Sequence, residues 1–281
     1  MDPVEQIVAG VRQGKKYRAV CEETVRRIAA ELWAKQGPGQ GGKRAHGAAH
    51  GAALKTAVKA TRARLHQVYA AYESPVDYPR AIRDLEAAYA EGESESVRLT
   101  CRRLLALHAS TRERLPILER FYDELWAHTG APDVLLDLAC GLNPLTVPWM
   151  GLRATAVYHG YDIDADRVAF LQRVLPLAGL EARMHLQDVL CEPPAEAGAV
   201  ALLLKSSACL ERQRAGATPA LLDTLRVRYA VVSFPVQSLG QREKGMAAHY
   251  ERTFRAQLAD RAWPITRLRF ESELVFIVDK G

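Results

Sequence analysis

The chain has 281 residues, room for about two domains at roughly 150 residues each, and its 48% apolar and 25% charged composition excludes a disordered or collagen-like protein. Five cysteines, Cys21, Cys101, Cys140, Cys191 and Cys209, stand far apart with no CxxC pair, so neither a disulfide framework nor a zinc knuckle is expected and a reducing cytoplasm is the default. The net charge of +5 is uneven: residues 1–80 hold 14 Lys+Arg against 7 Asp+Glu, the remainder sums to −2, and this asymmetry points to a polyanionic partner such as nucleic acid.

Val4 to Lys35 places Ile7, Val8, Val11, Val20, Val25, Ile28 and Leu32 at three- and four-residue steps, which predicts helix. Its polar positions are largely basic: Arg12, Lys15, Lys16, Arg18, Arg26 and Arg27. Gln36 to Gly51 holds six glycines and a proline among Lys43, Arg44, His46 and His50, a composition read as a mobile basic loop. Helical spacing returns from Ala52 to Tyr72, carrying Lys55, Lys59, Arg62 and Arg64, and Ser74-Pro75 ends it. Further helix is predicted over Tyr78 to Glu91 and, past Gly92-Glu93-Ser94, over Glu95 to Trp126.

After Thr129-Gly130-Ala131-Pro132 short apolar runs alternate with helical stretches. Strands are predicted at Val134 to Leu138, Ala156 to Tyr161, Ala182 to Leu186, Ala199 to Leu204, Tyr229 to Phe234, Thr266 to Phe270 and Leu274 to Val278, with helices at Asp164 to Leu175, Thr218 to Arg226 and Lys244 to Ala262. That order reads as an α/β doubly wound sheet. Only Glu271-Ser272-Glu273 separates the last two runs, too short for a parallel crossover, so the seventh strand should return antiparallel. This is the outline of the Rossmann-like S-adenosylmethionine (SAM) methyltransferases, here preceded by an all-helical N-terminal region. The expected division is a basic RNA-docking domain over residues 1–80 and a methyltransferase domain over 81–281, with a helical lead-in to about residue 130. No apolar run approaches the roughly 20 residues of a membrane span, and Asp2 and Glu5 argue against a signal peptide.

Asp137-Leu138-Ala139-Cys140-Gly141 leaves the first strand at the end where an open α/β sheet binds ligands. One glycine is not a GxGxxG cradle, so a dinucleotide is disfavoured. Asp162 follows the second strand, where a carboxylate can accept from both ribose hydroxyls, and Asp164 suits the N-cap of the next helix. Asp188, beside Gln187, follows the third strand, where such folds commonly address an adenine amino group. Together these strand ends point to a nucleoside ligand.

Four blocks, HASTRERLP (His108 to Pro116), DLACGLNPLTVPWMGL (Asp137 to Leu152), LLLKSSACLE (Leu202 to Glu211) and SFPVQSLGQREKGM (Ser233 to Met246), with LHQVY (Leu65 to Tyr69), resemble the aminoglycoside-resistance 16S ribosomal RNA methyltransferases, in particular the branch acting on N7 of guanosine 1405. The resemblance implies SAM as cofactor, with Arg112 at its carboxylate, the loop of Ala139 and Gly141 at the methionine and ribose, Asp162 and Ile163 at the ribose, and Gln187 and Asp188 at the adenine. It places Lys205 and Glu211 at the substrate mouth and Arg242 and Met246 against the target nucleotide; because guanine N7 has a free lone pair and no proton to lose, no general base is expected, and no metal. RNA contacts are expected from Lys15, Lys16, Arg44, Lys55, Lys59 and Arg62. The implied partner is 16S rRNA within the 30S subunit, met by a cytoplasmic monomer. A methyltransferase for another RNA site, such as adenosine N1, and a non-catalytic RNA-binding assembly protein are the alternatives.

Overall fold

A computed structural model describes residues 2–36, 46–70, 75–236 and 246–281. The expected single N-terminal helix is two, α1 (Pro3–Arg12) and α2 (Glu22–Gln36), because Gly14 takes an extended conformation and the chain from Arg18 to Cys21 runs out to the sheet domain before turning back. Helix α3 (His46–Leu65) begins inside the glycine-rich stretch, so residues 46–51 are helical and not the loop that composition implied. Alanines flanking Gly47 and Gly51 favour helix enough to outweigh both glycines. Gln36 ends α2, and residues 37–45 of that predicted loop, with Lys43 and Arg44, lie outside the described residues. These three helices enclose their own small core of Ile7, Val11, Val25, Ile28 and Leu65.

Helix α4 (Tyr78–Glu91) matches its predicted span, capped by Asp77, whose side chain accepts from the Arg80 amide, and ended by Gly92 in the left-handed region. The helical stretch expected over Glu95 to Trp126 is three helices: α5 (Ser94–Leu105), α6 (Ala109–Arg114) and α7 (Leu118–Thr129). His108 is extended (φ −111°, ψ 131°), and Pro116, lacking an N–H, interrupts the ladder before α7. These breaks bring α6 across the edge of the cavity described below.

Seven strands, β1 (Val134–Leu138), β2 (Val157–Asp162), β3 (Glu181–Leu186), β4 (Ala197–Leu204), β5 (Arg226–Pro235), β6 (Ile265–Arg269) and β7 (Glu273–Asp279), form one sheet in the order β3-β2-β1-β4-β5-β7-β6. Strands β1 to β5 pair in parallel, and β7 is antiparallel to both β5 and β6, as the three-residue connection required. One face packs against α4, α5, α7 and α9 (Ala165–Val174); α8 is a single turn at Val147–Met150. The other carries α10 (Ser207–Gln213), α11 (Ala217–Thr224) and α12 (Met246–Gln257). Helix α10 was not foreseen, and α12 is shorter than predicted at its C-terminal end. Strands β2 and β4 lie on either side of β1, so the chain changes direction across the sheet at the carboxyl ends of β1 and β4, where open sheets take up ligands. No helix among the described residues is long and apolar enough to cross a membrane.

Candidate active site

A half-open cavity lies at that edge. Ala139, Gly141, Asp162, Ile163, Gln187, Asp188 and Lys205 line it, so the structure brings together seven residues that the sequence singled out along nearly seventy positions. Arg112 is exposed on α6, two residues past Ser110, which does line the cavity.

The turn after β1 is built to approach a ligand closely. Ala139 (φ 50°) and Lys205 (φ 59°), the two non-glycine residues with positive φ among the described residues, sit at the ends of adjacent strands β1 and β4 and both line the cavity. Such backbone persists only where the surroundings over-determine it, and it gathers at functional sites. Gly141 (φ 55°) packs under the His108 ring, whose nearest carbon would lie 3.3 Å from an added Cβ. Below the turn runs a buried polar network. Asp137 accepts from Asn143 Nδ2 at 2.9 Å and from the Tyr158 hydroxyl, and Asn143 Oδ1 accepts from Arg114 Nη1 at 2.7 Å. Burial, opposed by those hydrogen bonds, pushes the Asp137 carboxyl up to about 6.

Asp162 is both a brace and an acceptor. Its Oδ2 accepts from the Gly141 amide at 2.8 Å; Oδ1 accepts from the Asp164 amide at 2.9 Å and from Arg167 Nη1 at 3.0 Å. With about two acceptances per carboxylate oxygen, Oδ1 is filled and Oδ2 keeps one site, so the carboxylate has room for one ribose hydroxyl directly instead of both. Asp164 caps α9 as expected, accepting from the amides of Asp166 and Arg167. Asp188 Oδ2 is gripped by Arg27 Nε at 3.2 Å and Nη2 at 2.9 Å, while Oδ1 accepts from the Leu190 amide at 2.9 Å and retains acceptor capacity. The cavity therefore offers a carboxylate acceptor at each of two neighbouring strand ends and closely approachable backbone at a third, a donor set that fits the nucleoside part of SAM.

Other expected positions fall differently. Lys205 contributes to the cavity wall, but its ammonium is nearly buried and held by Glu113 at 2.9 Å and Glu273 at 3.5 Å. Glu211 does not line the cavity; its oxygens accept from the amides of Gly216 at 2.8 Å and Thr218 at 2.7 Å, capping the start of α11. Met246 is half-buried at the start of α12, away from the cavity lining, and Arg242 lies outside the described residues, as does Arg44. Lys15, Lys16, Lys55 and Lys59 are exposed, whereas Arg62 turns inward and donates to the Gly10 carbonyl at 2.6 Å. Arg12 and Arg26 pair with Glu22, and Arg26 also with Glu5, so the docking charge rests on fewer residues than the count of basic positions suggests. Away from the cavity, His159, His185 and Glu196 are close enough to share a cation, but the two rings hydrogen-bond directly at 3.1 Å and Glu196 accepts from Tyr161.

His108, Thr24, Tyr69 and Arg27 carried no site role in the sequence, although His108 and Tyr69 lie in the resembling blocks and Arg27 among the basic positions. Burial first, then the Arg167 cation, drives the His108 imidazole down to about 4 from 6.5, against the opposing pull of Asp162. Between those values the unfolded chain binds a proton that the native chain refuses. Stability from this site is therefore full above pH 6.5 and falls as pH drops toward 4. His108→Gln should lose less melting temperature than the parent chain between pH 7.5 and pH 5; equal losses would contradict the assignment.

A mostly parallel seven-stranded sheet with an antiparallel seventh strand, carrying nucleoside-type acceptors after β2 and β3, defines a SAM-dependent methyltransferase. Residues 13–277 match the family model described as ribosomal RNA methyltransferase (FmrO), and the chain belongs to that family. It is 39% identical to the 16S rRNA (guanine(1405)-N(7))-methyltransferase of Micromonospora echinospora, across 99% of this chain and 97% of the relative. The enzyme of the same name from Frankia casuarinae is 41% identical over 98% of this chain and 93% of its own length. Among solved structures, the 16S rRNA methyltransferase RmtF in complex with S-adenosyl-L-homocysteine superposes with a TM-score of 0.77 at 33% identity, covering 100% of this chain and 99% of RmtF.

Proposed function

We propose that this chain transfers a methyl group from SAM to N7 of guanosine 1405 in 16S rRNA of the 30S subunit, as a cytoplasmic monomer, and thereby confers aminoglycoside resistance. The full-length likeness to relatives named for that reaction carries the reading, and the acceptor pattern of the cavity supports it. In this reading Arg112 pairs with the cofactor's carboxylate, Ala139 and Gly141 approach its methionine and ribose, Asp162 and Ile163 hold the ribose, and Gln187 and Asp188 face the adenine. When bound, SAM supplies an electrophilic methyl on a sulfonium. Guanine N7 has an in-plane lone pair and no proton to lose, so the protein needs no general base; its task is to hold the nucleophile in line at about 3–3.5 Å. In A-form RNA, N7 lies in a deep, narrow groove, so the target nucleotide must be extruded or distorted. Lys205, Arg242 and Met246 are assigned to positioning it, and a positive charge with a methyl at N7 then obstructs aminoglycoside docking.

The test is methyl transfer from labelled SAM to purified 30S subunits beside naked 16S rRNA. Labelling of the subunit is expected; labelling of naked RNA alone would contradict the assembled substrate.

Lys15, Lys16, Lys55 and Lys59 are assigned to the phosphates around the target. Neutralising all four should weaken 30S binding and flatten its dependence on salt by up to about 3–4 in log–log slope, because each lost phosphate contact releases about one counterion fewer. SAM affinity should stay at the parent value. Unchanged binding and salt slope in a competition assay would remove the docking role from this face.

The cysteines have no chemical part in direct transfer to nitrogen. Cys140 is buried in the turn after β1 and Cys209 lines the cavity, yet replacing Cys140, Cys191 or Cys209 with Ala should cost packing more than rate. A covalent enzyme–RNA adduct lost on one of these replacements would overturn this.

A further inference from the structure

The N-terminal helices also form a wall of the cofactor cavity. Thr24 of α2, with Val68 and Tyr69 after α3, lines it, and the Thr24 hydroxyl is buried with no hydrogen-bond partner among the described residues. This wall is sewn to the end of β2. The Cys21 amide donates to the Ile163 carbonyl at 2.7 Å, the Ala165 amide donates to the Ala19 carbonyl at 2.8 Å, and the Tyr69 hydroxyl donates to Asp164. At the end of β3 the contact is ionic. Arg27 reaches from α2 with two nitrogens on Asp188 Oδ2, and its Nη2 also donates to Gln213 Oε1 at 2.7 Å. Side-chain exposure is 9% for Arg27 and 5% for Asp188, so the pair is nearly dry.

We infer that Arg27 is a positioning residue for recognition of the cofactor's purine, so that the N-terminal helices select the base as well as dock the RNA. The inference rests on the proposed occupancy of this cavity by SAM. Two nitrogens on Oδ2 and the Leu190 amide on Oδ1 fix the plane of the Asp188 carboxylate and leave its remaining acceptor site on Oδ1. A fixed, ionised carboxylate accepts from an exocyclic amino group and repels a carbonyl oxygen in its place. Without the guanidinium the carboxylate keeps the Leu190 amide but loses both contacts on Oδ2, so its plane can turn and its free acceptor site is no longer aimed at one purine substituent. Preference for a 6-amino over a 6-oxo purine then declines.

The experiment compares S-adenosylhomocysteine with S-inosylhomocysteine, its deaminated counterpart, by calorimetric titration of the full chain. Arg27→Met should narrow the parent's preference for the amino form about tenfold, the worth of one charge-assisted hydrogen bond. Arg27→Gln, which retains a donor toward Asp188 and is less at risk of misfolding, should narrow it by a smaller factor, and Arg27→Lys should recover part of the preference. Equal weakening of both ligands, with their ratio unchanged in whichever of these variants is folded, would reduce Arg27 to a structural brace and overturn the inference. Asp162→Ala separates the two levels of the reading, because it should weaken both ligands alike. If the parent chain binds neither ligand, or Asp162→Ala changes nothing, the proposed cofactor site fails, and the assignment of Arg27 with it.

Discussion

Asp162→Ala is expected to lower SAM affinity by at least about tenfold, since a hydrogen bond to a charged group contributes roughly 1.5–3 kcal/mol. The reason extends beyond the lost ribose acceptor. The same carboxylate holds the Gly141 amide, and so fixes the turn after β1 against the cavity, while Arg167 Nη1 rests on its other oxygen. One substitution therefore removes the proposed ribose contact and loosens a second wall. Asp162→Asn separates the effects: it keeps the shape and one carbonyl acceptor but lacks the charge facing Arg167, so its affinity should fall between the parent and Asp162→Ala. Calorimetric titration of folded variants is the measurement. Parent-like affinity in Asp162→Ala would remove this residue from the site.

Glu273→Gln is expected to produce the largest loss of stability, on the order of 3–5 kcal/mol, the usual consequence of removing one partner from a buried ion pair. Glu273 is 0% exposed and Arg114 1% exposed, and they meet through two hydrogen bonds of 3.0 and 2.8 Å. Lys205 Nζ stands 3.5 Å from the same carboxylate. The Arg114 and Lys205 cations hold the Glu273 carboxyl below the usual range although burial opposes them. Neutralising it removes the carboxylate paired with the buried Arg114 and leaves the neutral Asn143 Oδ1, the Phe121 ring face and the more distant Asp137 to offset its charge. Urea unfolding should show the midpoint shift, and replacing Arg114 and Glu273 together by Met should recover part of it. A shift worth less than about 1 kcal/mol would mean that the pair behaves as a solvated one.

The sheet was legible because its central strands β1, β4, β5 and β7 carry buried apolar runs, bounded by turns and separated by recognisable helices; β1 and α4 fall at their predicted limits. The antiparallel return of β7 followed from three intervening residues. The cavity lining was legible for a related reason: Asp162 ends β2, and Gly141 and Asp188 lie within three residues of the ends of β1 and β3, so locating the strand located the residue. What was missed comes from elements distant in sequence. Arg27 is one of several basic residues on an amphipathic segment, and nothing local marks it as the one that reaches Asp188, 161 positions away. Arg112 and Arg114 lie two apart in one short helix, yet the first is exposed and the second is fully buried on Glu273, a difference that depends on where β7 lies. Glu211 had a readable cue, since Gly216-Ala217-Thr218 five to seven residues on is a helix start with amides to satisfy. His108 lies within a block already singled out, but its burial over Gly141 required the break between α5 and α6 that the helical periodicity did not reveal.

Direct mapping of the modified nucleotide tests the central claim most directly. After incubation of 30S subunits with the protein and SAM, borohydride reduction and aniline cleavage break the RNA chain specifically at 7-methylguanosine, and primer extension reads the position. Cleavage at guanosine 1405, dependent on both protein and SAM and weakened with Asp162→Ala at low SAM concentration, is the predicted result. Methylation at a different nucleotide or a different atom, or subunits bound but left unmodified, would contradict it.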